Sequence, residues 1–228
     1  MSVDFSILMA VYNDENNINK SIESMLSQSV KNFELLLLDD SSTDNTYSIC
    51  QDYSKSDSRV KLLRNKKNMG LTKSLNILIK ESTGKFIVRQ DSDDISFKNR
   101  ILTQYNFIQK HDLDACTSLA RVKGKDRIVP NLSRYISPKI TINYKNPFIH
   151  GTLMIKSNVI KSLGSYDENF YYSQDYKLMK DFIKNGYKIK ILNVVLYQLN
   201  MEKNISEIYK KEQEYFASCV RKNINPKL

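Results

Sequence analysis

Glycine is scarce, six in 228 residues, and neither G-x-x-x-x-G-K-[ST] nor, after the first apolar run, G-x-G-x-x-G occurs. If the chain binds a nucleotide, backbone amides are therefore not the main cradle for its phosphates. Long apolar stretches are also lacking, and the start, MSVDFSILMAVYNDE, has no basic flank followed by a small-residue cleavage site. Neither a signal peptide nor a membrane span is expected. The three cysteines, Cys50, Cys116 and Cys219, are odd in number and far apart, which fits no disulfide framework or metal-ligand spacing. They are expected as core thiols in a reducing compartment.

What is present is a basic, moderately apolar chain. The 35 Lys and Arg outnumber 25 Asp and Glu, for a net charge of +10. No basic arm or nucleic-acid motif gathers that charge, and a phosphate-bearing substrate or an anionic membrane surface fits it at least as well as nucleic acid. With 41% apolar residues the chain can bury one sizeable core, and one domain over 1–228 is expected.

Through about residue 115, short apolar runs alternate with stretches of helical period, which predicts βαβ units and a largely parallel sheet. FSILMAVY (5–12), FELLLLDD (33–40), RVKLL (59–63) and KFIVRQ (85–90) read as strands. Helices between them are marked by Ile18, Ile22, Met25 and Leu26, by the segment after SSTDNT, by Leu71, Leu75, Leu78 and Ile79, and by Ile101, Tyr105 and Ile108. Beyond this the pattern loosens. DACTSLARV and DRIVP suggest a hairpin around KGKD, and Pro130, Pro138 and Pro147 punctuate a long loop. A strand at 151–156, helices near 157–163 and 175–185, strands at YKIKIL and VVLYQL, and a terminal helix over 204–223 complete the expectation.

In open α/β sheets ligands bind beyond the carboxyl ends of the strands, and the acidic clusters LLDDSSTD and RQDSDD fall at two such ends. A lone strand-end Asp is usually a cap or an Asx turn. Asp91, Asp93 and Asp94 within four residues exceed what one cap needs, and a hard cation such as Mg2+ or Mn2+ would relieve their repulsion.

The runs SILMAVYNDENNINKSIESMLSQSVKNFELLLLDDSSTDNT, NMGLTKSLNILI, FIVRQDSDDIS, HGTLMIK and LGSYDENFYYSQDYKLMKDFIKNGYKI resemble family 2 glycosyltransferases over about residues 4–192, in order. The resemblance implies an α/β GT-A fold, a Rossmann-like and mostly parallel central sheet flanked by helices with a smaller mixed region on the acceptor side. It implies a bacterial, inverting transfer of one sugar from a UDP-sugar to a saccharide or lipid-linked saccharide acceptor. About 1–115 would bind the nucleotide-sugar and about 116–200 the acceptor.

Carried over by position, Ala10, Tyr12 and Asp14 match the first nucleotide-contacting loop, and Asp40 the carboxylate that accepts a bond from a uracil ring. Lys73 lies where a basic residue nears the diphosphate. Asp91 and Asp93, around Ser92, match the D-x-D element, with Asp93 the direct ligand of Mn2+ or Mg2+ and Asp91 nearer the ribose or metal. Asp94 is left to cap the next helix. Asp175 matches the general base, while His150 and Gln174 lie on the acceptor side. Val11 stands where the family's first loop often carries proline. Gln174 replaces the usual glutamate, which removes a negative charge beside Asp175 and favours its ionised form. No Q-x-x-R-W of processive synthases occurs, so single-sugar addition is expected.

Other readings stay open from residues alone. Asp175 also suits a helix-start carboxylate capped by Ser173, His150 an ordinary loop histidine, and Tyr166, Tyr171, Tyr172 and Tyr176 either sugar platforms or core. The terminal helix, with Ile205, Ile208, Tyr209, Phe216 and Val220 among lysines, packs on the core or rests on the membrane. A cytoplasmic site at the inner membrane face, in surface polysaccharide synthesis, follows from the second choice. Two other classes compete: a phosphoryl-transfer enzyme using the acidic strand end, and a non-catalytic basic binding module.

Overall fold

The computed structural model describes residues 3–201 and 209–227. Its first half is a run of βα units: β1 (Phe5–Val11), α1 (Ile18–Leu26), β2 (Phe33–Asp39), α2 (Thr46–Ser56), β3 (Val60–Arg64), α3 (Leu71–Glu81) and β4 (Phe86–Arg89). β2 and β4 flank β1 and β3 joins β2, all parallel, with Phe5 opposite both Phe33 and Phe86. Burial on both faces explains the unbroken apolar runs. Along β1, Ile7, Met9 and Val11 enter one core with α1 and α4 (Arg100–His111), whereas Leu8 and Ala10 enter another with α3. Each fully buried Leu or Ile in these layers stabilises by about 1.5–3 kcal/mol.

The second half turns the sheet mixed. After β5 (Ile95–Ser96) and α4 come β6 (Ala115–Val122), β7 (Ile128–Val129), α5 (Pro138–Thr141), β8 (Met154–Lys156), α6 (Ser157–Ser162), α7 (Gln174–Lys184), β9 (Ile189–Leu199) and α8 (Lys210–Lys222). The order across the sheet is β3-β2-β1-β4-β8-β6-β9-β5, with β7 hairpinned onto β6. β8 runs antiparallel to both β4 and β6, while β6 and β9 are parallel.

The expected pair of strands YKIKIL and VVLYQL is one strand, β9. The irregularity that reads as a break is accommodated in the pairing, where register shifts between Ser118 and Ala120 of β6 absorb the mismatch. The terminal helix is described from Lys210. Residues 204–208, with Ile205 and Ile208, lie outside the described residues. Phe216, Cys219 and Val220 on α8 pack into the core beside Phe170, which supports the packed arrangement for that face. All three cysteines are free and buried.

Candidate active site

Strand order places β1 and β4 side by side, the point where the connections reverse direction and a crevice opens beyond the strand ends. Three loops meet there. After β1, Tyr12 is half exposed and Asp14 partly buried. The backbone amides of Asn13, Asp14 and Glu15 donate to Ser42 Oγ (3.0 Å) in the loop after β2, to Thr46 Oγ1 (2.8 Å) at the start of α2 and to Asp44 Oδ2 (3.2 Å) between them. In return Thr43 N–H donates to Asn13 Oδ1 at 2.8 Å. The polar run SSTDNT thus builds a wall rather than simply capping α2. Ala10, one residue before the end of β1, lies in the core, 8% exposed.

The two acids ending β2 separate cleanly. Asp39 is fully buried, pairing with Arg64 Nε at 3.1 Å and accepting from the Ser42 amide. Asp40 accepts from Asn65 Nδ2 (2.7 Å) and the Met69 amide (2.9 Å) on Oδ1, and from the Gly70 amide (2.8 Å) on Oδ2. A carboxylate offers about four acceptor positions, so about one remains, on Oδ2. Gly70, at φ +85°, takes the left-handed backbone turn before α3 that other residues adopt only with strain. Lys73 is exposed on that helix.

The acidic loop after β4 is anchored from below. Arg89 is buried, and its Nη2 donates to Asp91 Oδ1 at 2.5 Å while Nη1 donates to the Leu8 carbonyl at 3.2 Å. Arg100, completely buried, spans Gln90 Oε1 (3.0 Å), Ser96 Oγ (2.7 Å), Gln104 Oε1 (3.0 Å) and the Arg89 carbonyl (2.6 Å). Burial draws the Arg100 guanidinium down to about 10. Ser21 Oγ and Gln90 Nε2 both donate to the Asp91 carbonyl, and the Asp91 amide donates to Tyr197 Oη. Ser92 Oγ donates to Asp14 Oδ2 at 2.7 Å, tying this loop to the one after β1.

Asp93 is pushed up to about 7, first by burial and then by the charges of Asp91 and Asp14, against the pull of Arg89. Such crowding of hard oxygen donors fits a divalent cation. Among the described residues no group of three or more His, Cys, Asp or Glu is arranged to hold a metal. Asp91 and Asp93 would supply at most a pair of ligands, which suits an ion that shares its remaining positions with water and phosphate oxygens.

The expectation for Asp94 is corrected. It caps no helix, because β5 intervenes and α4 begins only at Arg100. Its buried Oδ1 instead accepts from the Asn200 amide at 2.6 Å, pinning the end of β9 beneath the loop.

Across the crevice, the turn His150–Thr152 and the start of α7 carry the other candidates. Asp175, in the first turn of α7, accepts from Asn146 Nδ2 at 2.7 Å. Ser173 does not cap α7, and its hydroxyl donates to the Gln213 carbonyl. Gln174 is buried, as are Tyr166 and Tyr176, whereas Tyr171 stays half exposed and packs over Gly70. Only Tyr171 among these is open enough to meet a ligand ring face; Tyr172 packs against Tyr209 and Phe216. His150 Nε2 lies 2.6 Å from Tyr166 Oη. Burial and the nearby Arg89 lower His150, opposed by Asp175 and Asp91. The same charges act on Tyr166, whose hydroxyl burial raises. Asp91 Oδ2 lies against Gly151 of the turn His150–Thr152, and His150, Asn146 and Asp175 line one small cavity beside it.

Residue-by-residue reading of the sequence missed Arg89, Arg100, Tyr197 and Asn146. One signal was available: an arginine inside an apolar strand run, FIVR, directly before the acids.

The mostly parallel sheet with its switch point between β1 and β4, closed by an antiparallel β8, is the frame of a GT-A glycosyltransferase fold. The family model described as Glycosyl transferase family 2 matches residues 6–180. The chain belongs to glycosyl transferase family 2. It is 37% identical over 205 residues to "Putative glycosyltransferase EpsE" of Bacillus subtilis, spanning 85% of this chain and 72% of that protein. It is 33% identical over 184 residues to an Escherichia coli protein, WfgD, covering 79% of this chain and 70% of that one. That relative is named a UDP-Glc:alpha-D-GlcNAc-diphosphoundecaprenol beta-1,3-glucosyltransferase. Among solved structures, Staphylococcus aureus TarS 1–349 with UDP-GlcNAc superposes at TM-score 0.76, 23% identity, over 89% of this chain and 60% of that chain. A Pyrobaculum calidifontis mannosyltransferase with GDP-Man and Mn2+ superposes at 0.78, 15% identity, over 99% and 66%. The chain thus spans less than two thirds of these two solved chains. Family membership displaces the phosphoryl-transfer and basic-module alternatives.

Proposed function

We propose that this chain is an inverting glycosyltransferase that moves one sugar from a UDP-sugar to a saccharide carried on a lipid, in surface glycan synthesis. One observation carries it: Asp91 Oδ2 lies against Gly151 of the turn His150–Thr152, and His150 of the same turn lines a small cavity with Asn146 and Asp175, which supports a reading in which the D-x-D loop and the base candidate flank a single crevice. The uridine and lipid-linked acceptor are supported by the name of the E. coli relative, and metal use by the Mn2+ complex of the mannosyltransferase. We divide the chain into a nucleotide-sugar half, about 1–115, and an acceptor half, about 116–200, closed by the terminal helix.

Tyr12 offers a half-exposed ring to the uracil face, and Asp40 keeps one acceptor position for the ring N–H. The backbone of Ala10 shapes the pocket floor, and the bonded pair Asp14 and Ser92 closes its wall. Lys73 supplies positive charge on the side of the diphosphate. Asp93, with Asp91 held by Arg89, would bind Mn2+ or Mg2+. When bound, the ion neutralises charge developing on the departing diphosphate as a Lewis acid. Opposite, Asp175 takes the proton of the acceptor hydroxyl as that oxygen bonds to the anomeric carbon and the bond to the diphosphate breaks. Asn146 orients Asp175, leaving Oδ1 for the acceptor. His150 and Gln174 line the acceptor side. Such a base contributes on the order of 10²–10⁴ in rate. Attack opposite the leaving group inverts the anomeric centre.

The test is a panel of UDP-glucose, UDP-galactose and their N-acetyl forms, scored for UDP release with Mn2+ and with chelator. Release from at least one donor with Mn2+, lost with chelator and restored by adding Mn2+ back, is expected. Metal-independent release, or none from any donor while a GDP-sugar is turned over, overturns the proposal.

A further inference from the structure

The stretch between β6 and the candidate acceptor side anchors Ile142 and Phe148 in the core but turns most of its other large apolar side chains outward. In the turn Leu132–Tyr135 and in α5, the small polar residues Ser133 and Thr141 are buried, while Leu132 (73% exposed), Tyr135 (68%), Ile136, Ile140 and Tyr144 (73%) face solvent. A soluble surface does the reverse, because each apolar side chain left in water forgoes its burial energy. Charge is equally lopsided. Residues 121–145 hold seven Lys and Arg against the single Asp126. Arg134 lies over the Tyr135 ring, 4.8 Å from its centroid, and donates to Tyr135 Oη, presenting cation and aromatic together.

We infer that this face, residues 123–145, docks on an anionic lipid surface, with Leu132, Tyr135, Ile136, Ile140 and Tyr144 entering the headgroup boundary and the surrounding Lys and Arg meeting lipid phosphates. The inference deepens the reading of a lipid-linked acceptor and rests on it for its purpose. Charge complementarity favours this occupant over a saccharide. The aliphatic Leu132, Ile136 and Ile140 bond no hydroxyl, and the surrounding charge has the sign that attracts phosphate. Position agrees, since Tyr144 lies two residues before Asn146, which holds Asp175. Docking here brings the base to the plane where a lipid-borne acceptor emerges. Among the described residues no helix is long and apolar enough to cross a membrane. The contact proposed is therefore peripheral, and it differs from one through α8, whose apolar side packs on the core.

The test is co-sedimentation of the full chain with vesicles of phosphatidylcholine alone and of phosphatidylcholine containing about one third phosphatidylglycerol. Binding to the anionic vesicles only, weakened by salt, is expected. Combined Leu132→Ser, Ile136→Ser and Ile140→Ser lowers partitioning on the order of tenfold or more. Combined Lys125→Gln, Arg127→Gln and Lys139→Gln lowers it roughly up to fivefold per charge. Lys210→Gln with Lys211→Gln on α8 leaves it unchanged. UDP release from a UDP-sugar without vesicles stays at the parent rate in every variant, so failure of the transferase reading is seen separately. No binding by the parent chain, equal binding by the loop variants, or loss confined to the α8 variant overturns the proposal. So does a raised KM for a soluble saccharide with vesicle binding intact, which would make the face a sugar platform.

Discussion

Arg89 meets Asp91 at 2.5 Å, Asp94 receives the Asn200 amide, and Asp93 lies crowded against Asp91 and Asp14, so three neighbouring acids do three jobs. Asp94→Ala removes the carboxylate that accepts from the Asn200 amide and costs about 1–3 kcal/mol of stability, read from a urea midpoint. Asp93→Asn keeps that stability and abolishes Mn2+-dependent UDP binding, read by calorimetry. Sequence reasoning separated Asp94 from its neighbours, but its partner lies 106 residues away and no local pattern shows such a bond. Arg89 gave one signal, its place in the apolar run FIVR, but that signal names no partner, and Arg100 gave none. A charge in an apolar run carries no mark of whether it snorkels to solvent or is satisfied within. Glu34 is a third buried ion, far from the crevice. Burial alone would raise it, but bonds from Lys61, Ser6 and Thr83 outweigh burial and bring it down to about 2. Because the folded value lies below the unfolded 4.5, its contribution is fully present above 4.5 and lost as pH falls through about 2. Relative to Glu34→Gln, the parent chain should lose roughly 1–3 kcal/mol between about pH 6 and the folded value, measured by denaturant midpoints across pH.

At the scale of elements, β1 to β4 and their helices were legible because period decides them: doubly buried strands read as apolar runs and helices as stripes. β9 was not, since it is covered unevenly and its break is taken up by the bulged pairing with β6. The pairing of β5 with β9 at Ile95 and Gln198 was equally hidden, because two residues make no periodic signal. The turn His150–Thr152 shows what such packing demands. A Cβ on Gly151 would lie 2.5 Å from Asp91 Oδ2 and closer still to Tyr197 Oη. Both are held, one by Arg89 and the other by its bond with the Asp91 amide. Gly151→Ala should therefore displace Asp91, costing about 1–3 kcal/mol by overpacking. It should lower UDP release more than it lowers melting temperature would explain, as comparison at a temperature where the variant is fully folded checks.

Across the whole molecule, the sheet serves as a rigid frame that holds the loops after β1, β2 and β4 and the segments around β8 and α7, to which the proposed function gives the nucleotide and the acceptor respectively. The order of five motif segments carried that arrangement into the sequence, but Asp175 alone did not, because a carboxylate in a first helical turn has an ordinary structural use. Its bond from Asn146 and its place beside His150 in a small cavity support the catalytic use. The most direct test is Asp175→Asn, assayed for UDP release from the best UDP-sugar of the panel and for UDP binding with Mn2+. Binding at the parent affinity with release slowed on the order of 10²–10⁴ is predicted. Release at the parent rate with unchanged binding would contradict the account.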